Sequence, residues 1–348
     1  MVKSDPLLLS EYKPKSELIV ERTTITGPKF PVIDIHGHFG PLVLGPDYAN
    51  RYDTLKEVDK LKKLGVRNIT NLEVLWGDEL KQLLDKVAPA GDFIITFGAV
   101  DLTRLDEPDF GDYVERTLTE SKNMGIKGIK LWKNISLGMK DKNGQHVPID
   151  DPRLQVIFKF SAKLDLPILI HIADPVAFFR PIDQNNERWE ELQGNPDWSF
   201  YGPQFFSFEE LMAQQLNLRS VYKRKTTFII AHGGSYSENL GYVAECLDKY
   251  NNMYIDIAAR ISEFGRQPYT SRKFFTRYQD RILFGTDSGP SWYNHPIYYE
   301  FLETWNEYFD YSSSKVPPQG RWKIYGIGLD DEVLEKVYNK NAVKLLKL

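Results

Sequence analysis

The amino-acid sequence predicts an α/β fold, a closed (β/α)8 TIM barrel with a metal site at the C-terminal ends of its strands. Three observations carry this reading. Short apolar, β-branched runs alternate with helical patterns along most of the 348 residues, as in parallel strands covered on both faces. About eight such units can be counted, the number that closes a barrel. Several runs end on a histidine or an acid, namely His36 and His38, His171, His232 and Asp287, and in a barrel these ends all open on one rim. A doubly wound open sheet is the alternative, weakened because no glycine-rich phosphate loop follows the first run.

Residues 1–30 are polar and proline-containing, an irregular lead-in, and 31–348 read as a single barrel domain. Pro31-Val32-Ile33-Asp34-Ile35 is the first strand and runs into His36-Gly37-His38. Side chains at i and i+2 of an extended chain share a face, so both imidazoles can reach one point, with Gly37 leaving room for an ion near the backbone. Gly40, Pro41 and Gly45-Pro46 then break the chain into a loop. Leu55, Val58, Leu61 and Leu64 give residues 52–64 a helical period, ended by Gly65. Strands are expected at 67–73, 93–98 and 128–132, with helices at 79–86, 113–124 and 152–164, the last entered through Asp151 and Pro152. The second half continues with strands at 167–171, 227–232, 253–257 and 281–287, separated by helices at 208–219, 240–250 and 271–278. Between His171 and the helix at Phe208 lies a long loop, 172–208, rich in aromatics such as Phe178, Trp189, Trp198 and Phe206. A loop of that length predicts a lid over the site or a contact with a neighbouring subunit, and its aromatic load argues for order.

Hydrophobic residues at 42% and charged residues at 26% fit a globular protein with a sizeable core. The net charge of −4 gives no reason to expect nucleic acid or an anionic membrane as partner. No run approaches the ~20 apolar residues of a membrane span. The one cysteine, Cys246, excludes an internal disulfide and a cysteine-based zinc site; its helical surroundings predict a buried, inert thiol. Met1 to Pro6 lacks the apolar run of a signal peptide, so a cytoplasmic location is expected, although a leader removed beforehand would leave the same sequence. The expected partners are a small-molecule substrate and further copies of the chain in a homodimer or other homo-oligomer.

Four strand-end histidines joined by an aspartate read as a metal site of imidazoles and one carboxylate, suited to zinc and then to manganese. With Gly285-Thr286-Asp287 and the closing Glu332-Val333-Leu334 and Asn341-Ala342-Val343-Lys344-Leu345-Leu346, the sequence resembles the amidohydrolase superfamily over about residues 30–348. Within it the sequence looks like the amidohydrolase-2 branch, which holds aminocarboxymuconate-semialdehyde decarboxylase and related carboxy-lyases beside hydrolases. The resemblance implies His36, His38, His171 and Asp287 as ligands of one divalent metal, and His232 beside it as an acid/base or oxyanion-stabilising group. Such a metal brings the pKa of water toward ~7, and Asp287 can take the proton and pass it to a leaving group. Asp34, two residues before His36, is read either as support for that ligand or as an ordinary buried carboxylate.

Lys130 lies inside the fourth strand between Ile129 and Leu131, and lysine is rarely buried without a partner. It is read as a cation facing substrate or paired with an acid such as Glu73 or Asp256. A carboxylated Lys130 bridging two metals is the less favoured alternative. Arg260, just past the seventh strand, can clamp a substrate carboxylate through two hydrogen bonds or form a structural ion pair. His146 and His295 are expected in loops. Two functions follow: hydrolysis of an ester, lactone or amide of a small carboxylate-bearing substrate, and, as the alternative, non-oxidative decarboxylation on the same site. Basic residues directed at the pocket would favour decarboxylation. A barrel that binds a ligand without turnover is disfavoured by the intact set of five strand-end residues.

Overall fold

The computed structural model describes residues 7–9, 11–222 and 226–348. Its strands are β1 (Val32–Asp34), β2 (Val66–Asn71), β3 (Ile94–Thr96), β4 (Ile129–Leu131), β5 (Ile168–Ile170), β6 (Phe228–Ile230), β7 (Met253–Asp256) and β8 (Ile282–Leu283). They pair in parallel as β1-β2-β3 and as β4-β5-β6-β7-β8. Parallel bridges between Gly98 and Ile129 and between Gly37 and Ser288 join the two groups at both seams. At the β8–β1 seam the Ile35 N–H donates to Phe284 O at 2.9 Å, and the Asp287 N–H to His36 O at 2.8 Å. The strands therefore form the predicted TIM barrel.

A principal helix follows each strand, beside shorter ones: α1 (Thr54–Lys63), α2 (Gly77–Val87), α3 (Phe110–Met124), α4 (Gln155–Lys163), α5 (Phe208–Tyr222), α6 (Leu240–Lys249), α7 (Pro268–Arg277) and α8 (His295–Glu303). Their ends obey local chemistry. Asp53 accepts the Lys56 N–H at the start of α1, and Gly125 closes α3 at φ 107°, a left-handed geometry that suits glycine. Asp151 accepts the Arg153 N–H at 2.8 Å, but the turn it caps is 3-10 over Pro152–Leu154 before α4 begins.

Alternation along the strands sorts the core. Ile33, Ile95, Leu169, Ile229 and Leu283 form an inner cluster, joined by Ala342 and Leu346 of the C-terminal helix Asn341–Leu346. Val32, Ile94, Ile168, Ile170, Phe228, Ile230, Ile255 and Ile282 pack outward against the helices. Lys130 shares the register of Leu169, so it belongs to the inner set while Ile129 and Leu131 face outward, as the period of two requires.

Several expectations need adjusting. The lead-in is irregular from residue 11 to 31, yet its end is fastened: Arg22 pairs with Glu300, Thr23 N–H donates to Asn306 at 2.7 Å, and Ile25 packs on the core. The reading of Met1 to Pro6 lies outside the described residues. His295 is not in a loop; it is the fully buried first residue of α8. Segment 172–208 is ordered, with a turn at Val176–Phe179 and a short helix at Trp189–Gly194, and Phe178 stacks on Trp198 with ring centroids 6.2 Å apart. Cys246 is buried on α6, as expected. No described helix is long and apolar enough to cross a membrane.

Candidate metal centre

The seven residues assigned from the sequence to the metal, catalysis or substrate line one cavity of about 360 Å³ at the C-terminal rim: His36, His38, Lys130, His171, His232, Arg260 and Asp287. Three strand exits carry non-glycine residues in the left-handed region, His232 at φ 59°, Ala259 at φ 54° and Asp287 at φ 62°. Such backbone costs of order 1–3 kcal/mol per residue and persists where the surroundings over-determine it. Here they do: the His232 N–H donates to Asp256 Oδ1 at 2.8 Å, and the Asp287 N–H to His36 O at 2.8 Å.

The tautomers follow from the hydrogen bonds. His36 Nδ1 donates to Asp256 Oδ2 at 2.8 Å and His232 Nδ1 to the Ala258 carbonyl at 2.9 Å. Both rings therefore present a bare Nε2 to the cavity, the orientation that metal-binding histidines need. His36 Nε2 lies 3.5 Å from Asp287 Oδ1 and 3.5 Å from Lys130 Nζ. His38 Nε2 lies 3.1 Å from the same Asp287 oxygen, and its Nδ1 faces Glu73 Oε1 at 3.3 Å. Glu73 in turn accepts the Gly40 and Leu42 N–H groups at 3.0 and 2.7 Å, tying down the loop after β1. His171 Nδ1 meets His232 Nε2 at 3.2 Å, while its own Nε2 has no hydrogen-bond partner and lies 3.3 Å from Asp174 Oδ1.

The charge states suit a cation. Burial, reinforced by Lys130, holds His36 well below the usual imidazole range, and burial with the neighbouring His171 does the same for His232. Burial also lowers His171, to about 4. His38 differs: burial pulls it down, but Asp287 and Glu73 outweigh burial and raise it to about 9. Burial opposes ionisation of Asp287, yet the histidines around it hold its carboxyl well below the ordinary range. Burial brings Lys130 down to about 8. Neutral imidazoles with exposed lone pairs, an ionised carboxylate and the orphaned His171 Nε2 make a donor set that fits one divalent metal. Among the described residues, the ligand atoms of His36, His232 and Asp287 lie within 4.8 Å of one another. His232 thus joins His36 and Asp287 in that group, whereas His38 and His171, assigned to the metal by resemblance, do not fall within it.

Two readings of the first strand change. A Cβ on Gly37 would meet the Ile69 side chain at 2.7 Å and Thr70 O at 2.8 Å, so this glycine permits close approach of β2 rather than room for an ion. Asp34 supports His36 through the backbone, accepting its N–H at 2.9 Å, together with the Thr286 N–H and hydroxyl; the carboxylate on the imidazole belongs to Asp256. Sequence reasoning missed Asp256 in this role, and missed Asp174, which pairs with Lys133 at 2.5 Å beside His171. The signal for Asp256 was an acid closing an apolar strand run, as Asp34 does in the first strand.

The amidohydrolase family model matches residues 33–348. No curated protein sequence matches the chain significantly. Among solved structures, a 2,6-dihydroxybenzoate decarboxylase from Rhizobium is 16% identical with a TM-score of 0.56, over 91% of this chain and 99% of that one. A dihydroxybenzoic acid decarboxylase from a Polaromonas species, with bound manganese and 2-nitroresorcinol, is 14% identical with a TM-score of 0.58, over 92% and 98%. A 4-oxalomesaconate hydratase from Rhodopseudomonas palustris is 15% identical with a TM-score of 0.52, over 91% and 95%. At these identities the likeness is one of fold.

Proposed function

The chain belongs to the amidohydrolase family, and on that premise we propose that it is a metal-dependent enzyme that removes carbon dioxide, without oxidation, from a small planar hydroxylated acid. One observation carries the reading: two cations with unspent hydrogen-bond donors, Lys130 and Arg260, line the cavity beside His36 and Asp287. The other basic groups there are spoken for, Lys133 by Asp174 and Arg188 by Glu191 and Glu263. Arg260 gives Nη1 to the Ala259 carbonyl, and Asp174 lies 3.9 Å from its Nη2, beyond hydrogen-bond reach. A buried cation left this way favours an anionic ligand. Trp132, Phe178, Trp198 and Leu42 add flat and apolar surface to the walls, which suits a planar ring. The decarboxylases of similar fold act on acids of this kind.

In this scheme His36, His38, His171 and Asp287 hold one metal, zinc or manganese, and Lys130 remains a free amine rather than a carboxylated bridge between two. The bound metal would supply a Lewis acid toward substrate oxygens. Arg260 and Lys130 bind and orient the carboxylate. Asp287, with His232 as its neighbour, takes the proton of an adjacent substrate hydroxyl and returns it to the ring carbon that bears the carboxylate. The bond from that carbon to the carboxylate then breaks, its electron pair stays on the ring, and carbon dioxide leaves; net, one solvent proton replaces it.

Hydrolysis of a lactone, ester or amide is the second reading, favoured by the ionised Asp287 beside the neutral His232, a pair able to accept a proton from water. The test is carbon dioxide release from 2,6-dihydroxybenzoate and other hydroxylated benzoic acids by the metal-loaded protein, beside a panel of lactones and esters. Release that is lost in Arg260→Ala supports decarboxylation. Lactone or ester cleavage with no carbon dioxide from any acid would replace it with hydrolysis.

A further inference from the structure

Residues 187–191 cross from segment 172–208 to the barrel side of the site by ion pairs of unequal kind. Glu187 meets Arg266 at 2.9 Å and Glu190 meets Arg321 at 2.6 Å. These pairs are solvated, with Glu187 45% and Arg321 66% exposed, and exposed pairs contribute little. Arg188 is different. Its side chain is 1% exposed, and it binds Glu191 at 2.6 Å within the segment and Glu263, also 1% exposed, across the boundary. Its guanidinium carbon lies 5.8 Å from the ring centroids of both Phe178 and Trp322.

The position of this buried triad matters. Segment 172–208 supplies Asp174, Pro175, Phe178, Arg188, Glu191 and Trp198 to the cavity that His36 and Asp287 also line. Glu263 sits on the short helix Ile261–Gly265, which starts directly after Arg260. The anchor of the segment thus lies three residues along the chain from a cation of the cavity. Separating Arg188 from Glu263 takes the one close cation from a buried carboxylate, whose remaining partners are the Ser262 hydroxyl and Arg266 at 3.8 Å, whereas the solvated pairs part at little cost.

We infer that Arg188 is a positioning residue that latches segment 172–208 over the candidate metal centre through Glu263. The latch does not depend on which reaction the site performs. It makes opening of the roof, and so passage of solutes to the metal, contingent on breaking one buried ion pair.

The test uses the full-length metal-loaded protein and needs no substrate. Amide hydrogen exchange is followed in residues 176–200 and in the barrel strands, together with the rate at which a chelator strips the metal. Arg188→Met should speed both exchange in 176–200 and metal loss at least tenfold, with starting metal content and strand exchange unchanged. Arg321→Ala, which breaks only a solvated pair, should leave both rates alone. Should Arg188→Met fail to fold, Arg188→Lys and Glu263→Gln keep most of the volume and carry the same expectation. Wild-type rates in a folded variant overturn the latch. So does acceleration shared equally by the strands, which would make Arg188 a general stabilising residue.

Discussion

Asp256→Asn tests how the site is held, because one carboxylate does three things there. Oδ1 accepts the His232 N–H at 2.8 Å and the Ala258 N–H at 3.1 Å, while Oδ2 accepts from His36 Nδ1 at 2.8 Å. Asparagine has one acceptor oxygen. If it serves the two backbone N–H groups, its amide nitrogen faces His36 Nδ1, donor against donor. The imidazole must then move its proton to Nε2, the atom 3.5 Å from Asp287, or turn away. If the amide flips, two buried N–H groups lose their acceptor. Either way a charge-assisted bond of ~1.5–3 kcal/mol is lost, and replacing a group that orients a metal-binding histidine typically costs ~10–100-fold in affinity. That factor corresponds to ~1.4–2.7 kcal/mol. Competition titration of zinc or manganese against a chromophoric chelator reads the affinity, with circular dichroism to check folding. A folded variant whose affinity stays within about twofold of wild type would refute the reasoning.

Other consequences follow from the same geometry. In the metal-free protein His38 is protonated up to about 9, so metal binding near neutral pH should release about one proton, and affinity should climb with pH until about 9. Calorimetry in buffers of different ionisation enthalpy reads the release; finding none would remove His38 from the metal. Lys130, lowered to about 8, carries its charge below that pH and loses it above, so affinity for a carboxylate ligand such as 2,6-dihydroxybenzoate should fall as pH rises through about 8. The same fall in Lys130→Ala would assign it to another group. Gly37→Ala forces a Cβ onto Ile69 and Thr70 at 2.7–2.8 Å and should destabilise by ~1–3 kcal/mol; urea denaturation measures it, and unchanged stability would show that β2 can yield.

The barrel was legible because parallel strands buried on both faces need unbroken apolar runs, and Pro167 to Ile170 or Thr227 to Ile230 can hardly be read otherwise. The rim was legible because polar residues ending such runs converge. Their partners were not. Asp256 reaches His36 from 220 positions away, and Glu263 reaches Arg188 from 75; no local period encodes those pairings. Sharing of a face held for His36 and His38, which both line the cavity; the same alternation puts the intervening Gly37 against Ile69 and Thr70 of β2 rather than beside an ion. His295 looked like a loop residue because Asn294 and Pro296 flank it. Pro296 instead occupies the first turn of α8, where its missing N–H costs nothing, and His295 packs 3.0 Å from Asp34.

The claim on which the rest depends is that the barrel rim binds a divalent metal through its strand-end imidazoles and Asp287. Elemental analysis of the purified protein, before and after reconstitution with zinc or manganese, tests it most directly. The account predicts about one divalent ion per chain, lost in His36→Ala and in Asp287→Asn while the barrel stays folded. No bound metal even after reconstitution, or an unchanged metal content in folded Asp287→Asn, would contradict it.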